Sequence, residues 1–300
     1  MKNLMIPALA LFLSAAAQAD DSPLWMRYCA ISPDGQTIAF SYQGDIYTVP
    51  SSGGKARQLT THPAHDTRPV WSPDGQRIAF ASNRSGNFDV FLMNKEGGEP
   101  KRLTTHSTNE YPTTFKDNGH ILYLANVLQD AKDIQFPGTR FMQVYEISTD
   151  GGRPDLYSSL YMENIALSKG GSKLLYNDYK GYEDPWRKHH QSSITRDIWL
   201  CTLGKDRSFQ KVTTFGGEDR NPVWAADGAS FYCLSEEKGS FNIFKKDLAG
   251  NSEKQITTHT THPVRFLTSD NTGTLCYSYD GEIYTCLLYT SDAADDLIGV

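Results

Sequence analysis

Short apolar runs, three to five residues long and separated by turn residues, recur along this chain at a spacing far wider than any helical period. Two of them are nearly identical: Ile38-Ala39-Phe40 and Ile78-Ala79-Phe80 follow Ser32-Pro33-Asp34-Gly35 and Ser72-Pro73-Asp74-Gly75. Weaker copies of the turn stand at Lys116-Asp117-Asn118-Gly119, Ser168-Lys169-Gly170-Gly171, Ala226-Asp227-Gly228 and Ser269-Asp270-Asn271-Thr272-Gly273. Their closing glycines are 40, 44, 52, 57 and 45 residues apart. Each copy then carries a polar, a β-branched and an aromatic or related residue in that order: Asp45-Ile46-Tyr47, Asp89-Val90-Phe91, Gln143-Val144-Tyr145, Asp197-Ile198-Trp199, Asn242-Ile243-Phe244 and Glu282-Ile283-Tyr284. Such alternation suits a strand with two different faces. Most copies end in a run such as Gln58-Leu59-Thr60-Thr61, Arg102-Leu103-Thr104-Thr105, Lys211-Val212-Thr213-Thr214 or Gln255-Ile256-Thr257-Thr258.

Four strands per copy at this period predict an all-β, six-bladed β-propeller of four-stranded antiparallel blades, spanning residues 20–285, with the last blade incomplete. A seventh blade beyond the final residue stays open. Proline presets φ in the Ser-Pro-Asp-Gly turn, aspartate bonds the backbone two residues on, and glycine accepts positive φ, so Asp34 and Asp74 are read as structural. The Gly-Gly loops at 53–54, 97–98 and 151–152 are read as hairpins rather than phosphate loops, because no helix follows them.

Lys2, an apolar run from Leu4 to Leu13 and the small-residue end Ala17-Gln18-Ala19 predict a secretory signal peptide over residues 1–19, and with it a periplasmic or secreted product of a bacterium. The run is too short to span a bilayer, and no second such run follows. Twenty-nine basic and 35 acidic side chains are evenly mixed, which argues against nucleic acid as a partner. The five cysteines Cys29, Cys201, Cys233, Cys276 and Cys286 stand singly inside apolar runs and are read as core residues; an oxidising compartment would permit pairing, without the sequence naming a pair. After Thr285 the repeat gives way to Cys286-Leu287-Leu288-Tyr289-Thr290-Ser291-Asp292-Ala293-Ala294-Asp295-Asp296, and residues 286–300 resemble the translation of a transposon-type sequencing adaptor, hence a non-native tail.

The Ser-Pro-Asp-Gly, Ile-Ala-Phe and Leu-Thr repeats resemble those of TolB-type, tricorn-type and prolyl-oligopeptidase-class propellers. The insertion Tyr176-Asn177-Asp178-Tyr179-Lys180-Gly181-Tyr182-Glu183-Asp184-Pro185-Trp186-Arg187-Lys188-His189-His190, with Thr195-Arg196-Asp197-Ile198-Trp199 after it, is similar to the same region of tricorn-protease homologues, over about residues 24 to 285. That resemblance implies the amino-terminal propeller of an exported serine peptidase, one that gates or guides peptides and supports assembly with the remaining domains of its parent or with further copies of itself. The peptidase core has no counterpart in these residues, so no catalytic residue, cofactor or metal ligand is expected. The alternative is a TolB-like periplasmic module that binds protein partners without enzymatic role; a TolB would carry a small α/β domain before its propeller.

Candidate sites are few. His189 and His190, with Glu183, Asp184 and Trp186, read as a surface excursion, and His62, His106 and His259 as corner residues recurring after Thr-Thr. Asp66, Glu110 and Asp219 precede Pro69, Pro112 and Pro222 just ahead of the innermost strands. With Arg68 and Arg220 they are expected near one mouth of the channel, where a ring of alternating charge would steer peptides by their termini. The competing expectation is that the acids tie blades together.

Overall fold

The computed structural model describes residues 25–127, 142–182, 186, 192–250, 252–287 and 295–297. The expected signal peptide, and Glu183, Asp184, His189 and His190, lie outside them. Among the described residues, twenty-four strands form six four-stranded antiparallel sheets. Blade 1 is β1 (Arg27–Ile31), β2 (Thr37–Tyr42), β3 (Asp45–Pro50) and β4 (Arg57–Gln58). Blade 2 is β5 (Asp66–Trp71), β6 (Arg77–Ser82), β7 (Asp89–Asn94) and β8 (Gly97–Arg102). Blade 3 is β9 (Glu110–Asp117), β10 (His120–Ala125), β11 (Gln143–Ser148) and β12 (Asp155–Ser158). Blade 4 is β13 (Glu163–Leu167), β14 (Lys173–Asn177), β15 (Ile198–Thr202) and β16 (Ser208–Lys211). Blade 5 is β17 (Asp219–Trp224), β18 (Ser230–Ser235), β19 (Asn242–Asp247) and β20 (Glu253–Gln255). Blade 6 is β21 (Arg265–Ser269), β22 (Leu275–Tyr279), β23 (Glu282–Cys286) and β24 (Asp295–Leu297). First strands touch first strands all the way round, β21 meeting β1, so the sheets close into a six-bladed propeller.

The repeated letters of the sequence are the repeated contacts of the blades. The third residue of each Ile-Ala-Phe run faces the aromatic of the following strand: Phe40↔Tyr47, Phe80↔Phe91, Tyr123↔Tyr145, Tyr176↔Trp199 and Tyr277↔Tyr284, with Cys233↔Phe244 as the variant. Such cross-strand pairs each contribute about 0.2–1 kcal/mol and fix register, since a one-residue slip would turn every apolar side chain outward. The first threonine of each Thr-Thr run locks the fourth strand: Thr60, Thr104, Thr213 and Thr257 accept at Oγ1 from the backbone N–H of Ile46, Val90, Ile198 and Ile243 at 2.9–3.0 Å. In the turns, Ser32 Oγ donates to Asp34 Oδ1 at 2.5 Å and the Gln36 N–H donates to the same oxygen at 3.0 Å; Asp74 repeats the arrangement with Ser72 and Gln76. The serine hydroxyl, more than anything else, holds both carboxyls below the usual range.

Among the described residues, five of the six blade boundaries carry one recurring backbone bond. The first residue of an innermost segment donates its N–H to the carbonyl just before the third strand of the preceding blade: Asp66 to Gly44 at 2.7 Å, Glu110 to Phe88 at 2.6 Å, Asp219 to Arg196 at 3.1 Å and Val264 to Phe241 at 2.9 Å. Met26 donates to Gly281 at 3.0 Å, so the closing seam uses the same bond as the others. Two tryptophans add a second tie, Trp71 Nε1 to Ala30 O at 2.8 Å and Trp224 Nε1 to Ala166 O at 2.9 Å.

The last blade draws three strands from the repeat, as expected of an incomplete unit. Its edge is not bare, however: the three-residue β24, from the 286–300 stretch, pairs antiparallel with β23 through Tyr284↔Leu297 and Cys286↔Asp295. An unpaired strand edge presents a row of free N–H and C=O groups, which is reason enough for a nearby segment to add to it. All five cysteines are buried, and no helix among the described residues is long and apolar enough to cross a membrane.

Candidate functional site

The innermost strands share a backbone device that decides what lines the channel. In five of them the pairing with the second strand skips two residues, a β-bulge between Arg27 and Ala30, Thr67 and Val70, Glu163 and Ala166, Arg220 and Val223, and Arg265 and Thr268. Within each bulge one non-glycine residue is left-handed: Tyr28 (φ 53°), Arg68 (φ 55°), Asn164 (φ 50°), Asn221 (φ 52°) and Phe266 (φ 57°). Bulges re-aim side chains, and left-handed backbone at a bulky residue costs energy that the surrounding structure must offset. Blade 3 departs from the pattern because Pro112 occupies the corresponding place and its ring holds φ near −65°. There Tyr111 supplies the contact to the neighbouring blade instead.

These residues meet across blade boundaries. The Arg68 guanidinium lies 4.3 Å from the Tyr111 ring and 5.4 Å from the Tyr28 ring, one residue from each adjoining blade. Tyr28 packs on Phe266 with centroids 4.5 Å apart. Beyond Phe266 stands Trp186; its ring is 6.1 Å from Phe266, 4.8 Å from the Arg27 guanidinium and 5.0 Å from that of Arg265. Arg265 Nη2 also donates to the Trp186 carbonyl at 2.9 Å. The result is a continuous belt of guanidinium and aromatic faces over blades 3, 2, 1 and 6. Arg27 and Arg68 have no carboxylate partner among the described residues; rings are their neighbours.

The wall on blades 4 and 5 is built otherwise. Arg196 Nε meets Glu163 Oε2 at 2.6 Å, and its Nη1 is 3.4 Å from Glu218 Oε1, which Arg220 Nη1 approaches at 3.5 Å. Tyr161 donates its hydroxyl to Glu163 at 2.8 Å, and the guanidinium of Arg220 lies 4.0 Å from the Phe241 ring. Asn221 Nδ2 donates to Asn164 Oδ1 at 3.3 Å, so even the two left-handed asparagines are engaged with each other. At the root of the insertion Lys180 bonds Asp197 at 2.5 Å and the Thr195 carbonyl at 2.7 Å.

The five residues expected at the mouth separate accordingly. Arg68 is half-buried in the belt. Asp66, Glu110 and Asp219 stand two residues earlier and are buried between blades; Asp66 pairs with Arg84 at 2.8 Å and Asp219 with Lys246 at 3.2 Å. Burial raises the Glu110 carboxyl to about 7, and it also raises Asp219, against the pull of Lys246. Arg220 is buried in the ion-pair wall. The recurring histidines serve corners: His62 and His106 accept at Nδ1 from the N–H groups of Ala64 and Thr108, and His259 stacks on Tyr279 at 3.8 Å. Arg27, Arg265, Tyr28, Phe266 and Trp186 were not singled out in the sequence as mouth residues; for the first four the available signal was a shared offset from the turn motif, and for Trp186 its place in the insertion.

Residues 23–292 match the family described as the tricorn protease N-terminal beta propeller domain. The chain belongs to that family. This tricorn-type propeller is 22% identical over 267 residues to a tricorn protease homolog of Saccharolobus solfataricus, covering 86% of the present chain and 23% of the relative. Its fold is similar to that in a crystal structure of the tricorn protease, with a TM-score of 0.75, 21% identity, and coverage of 93% of this chain and 26% of that one. It is also similar in fold to TolB from Acinetobacter baumannii, with a TM-score of 0.64, 13% identity, and coverage of 91% and 63%. The tricorn-type propeller thus spans about a quarter of the length of the tricorn relatives it matches.

Proposed function

We propose that this chain is the propeller of an exported, tricorn-like serine peptidase, that it guides or gates peptides at its channel, and that it supports assembly with the rest of that peptidase. Chemistry would lie in parts of the parent beyond this domain. The signal-like Lys2 and Leu4 to Leu13 run supports a periplasmic or secreted location. One observation carries the gating reading: Arg27 and Arg68 face the channel against aromatic rings, with no acid among the described residues to neutralise them. A guanidinium so placed is available to a peptide carboxylate, for which its planar fork is suited. In this reading Arg68 is the contact residue, while Asp66, Glu110, Asp219 and Arg220 set the wall behind it.

Peptides with a free or an amidated carboxyl end, titrated into the full chain and followed by fluorescence anisotropy, test the reading. The free acid is expected to bind more tightly, and Arg68→Ala to weaken it on the order of tenfold with unchanged melting. Asp66→Ala and Asp219→Ala are expected to lower melting, with any change in peptide preference following from the displaced wall. Binding indifferent both to the carboxyl end and to Arg68 overturns the reading and leaves the TolB-like interaction module.

A further inference from the structure

The buried apolar side chains group into six clusters, and the cysteines are distributed unevenly among them. Cys201, Cys233 and Cys286 occupy one cluster each. Cys29 on β1 and Cys276 on β22 share one, together with Met26, Ile31 and Ile283, at the seam where the last blade meets the first. Both are buried, and both touch the same residue. Thr268 is paired with Cys276 across β21 and β22, and its hydroxyl donates to the Cys29 carbonyl at 3.4 Å and accepts from the Ile31 N–H at 3.3 Å. The Cys29 thiol, in the same cluster, helps to raise that of Cys276, and Cys29 Sγ donates to the Phe266 carbonyl at 3.3 Å.

This seam differs from the other five in one respect. Elsewhere the chain runs continuously from blade to blade, whereas here residues more than 250 positions apart are held by the Met26–Gly281 backbone bond, a Ser278 Oγ bond to Met26 O at 3.1 Å over 252 positions, and packing. We propose that Cys29 and Cys276 form a disulfide that staples the last blade to the first when the chain folds in an oxidising compartment. The clause about compartment rests on the export reading above; the pairing rests on the seam alone. In the reaction, one cysteine thiolate attacks a small-molecule or protein disulfide and expels one of its sulfurs as thiolate. The second cysteine then attacks the mixed disulfide and expels the other sulfur. Two protein thiols lose two electrons and two protons, and the reagent disulfide gains them as two thiols.

Timing follows from burial. Desolvation raises the Cys276 thiol well above its ordinary value, so in the closed ring Cys276 holds almost no reactive thiolate. Exchange therefore belongs to the stage at which blades 1 and 6 are still apart, and closure afterwards shields the bond from reductant. The closed loop would include nearly the whole propeller, the case in which restricting the unfolded chain stabilises most.

The test is to refold the full 300-residue chain in a mixture of oxidised and reduced glutathione, then count thiols with a maleimide under denaturing conditions. Of the five cysteines, three are expected to remain reactive, with a peptide pair linking Cys29 to Cys276 in the digest. Cys29→Ala and Cys276→Ala should each leave four, and Cys233→Ala two. Reductant should lower the melting temperature of the oxidised protein by about 10 °C and leave that of Cys29→Ala unmoved. Five reactive thiols after redox refolding, or a different linked pair, overturns the proposal. Pairing in the glutathione mixture, but five thiols in protein recovered from cells, upholds the pairing and counts against export instead.

Discussion

The two halves of the channel mouth are made from similar residue types and are stabilised in opposite ways. On blades 4 and 5, Arg196 and Arg220 are buried against Glu163 and Glu218, so each charge is answered within the wall. On blades 6, 1 and 2, Arg265, Arg27 and Arg68 lie against the faces of Trp186, Tyr28 and Tyr111. A guanidinium on an aromatic face gains a modest attraction and keeps its hydrogen-bond donors, whereas one committed to a buried carboxylate has spent them. The paired half is therefore built to hold shape, and Arg27 and Arg68 of the aromatic half to remain available.

The largest expected effect comes from breaking the paired half. Glu218→Ala leaves Arg196 and Arg220 buried with one acid fewer, and should destabilise the chain by about 3–5 kcal/mol in denaturant unfolding. If the cost matches that of an exposed ion pair, under about 1 kcal/mol, the contrast between the halves fails.

Next in size is the pH response of the foundation beneath the aromatic half. Glu110 is raised by burial to about 7 in the fold, above the 4.5 of a free glutamate, so the folded state holds its proton more tightly than the unfolded chain does. The contribution of Glu110 to stability is then greatest below pH 4.5, falls as pH rises from there to about 7, and is level beyond. Comparing Glu110→Gln with the parent isolates this contribution: between pH 5 and pH 8 the parent should lose on the order of 3 kcal/mol that the variant keeps. Equal pH profiles by thermal melting would mean that Glu110 titrates normally.

A smaller and symmetric effect is expected one layer down. Trp71→Phe and Trp224→Phe each remove an indole bond to the preceding blade, one under each half, and should each cost about 1 kcal/mol. Unequal losses would show that the halves differ below the mouth as well as at it. The smallest effect should be that of Arg68→Ala, under about 1 kcal/mol by denaturant unfolding, because only ring contacts are lost.

How much of this could be read in the sequence depended on distance along the chain. Ile-Ala-Phe and the following aromatic face each other across a hairpin, so their spacing disclosed both strands and register, as Phe40↔Tyr47 and Phe80↔Phe91 show. The prolines at 69, 112 and 222 located the innermost strands but not the face each neighbour presents. Asp66 and Arg68, two residues apart, would share a face in a regular strand; the bulge at Arg68 separates them, sending one into the blade interface and the other into the channel. Nothing local announces a left-handed Tyr28, Arg68 or Phe266, since these residue types rarely adopt that conformation; Asn164 and Asn221 alone are tolerant of it. Trp186 was visible as part of an insertion, but its partner Arg265 lies 79 residues away, beyond any periodic signal.

The bulge itself has a consequence for how such mouths diversify. In five blades the main chain turns the same way whether the residue there is tyrosine, arginine, asparagine or phenylalanine. The backbone thus offers five equivalent sockets whose occupants can be exchanged while the surrounding pairings stay as they are. Rewriting those occupants together would yield rings of altered charge and shape on an unaltered frame, with Pro112 marking the one blade where the exchange first requires a different backbone.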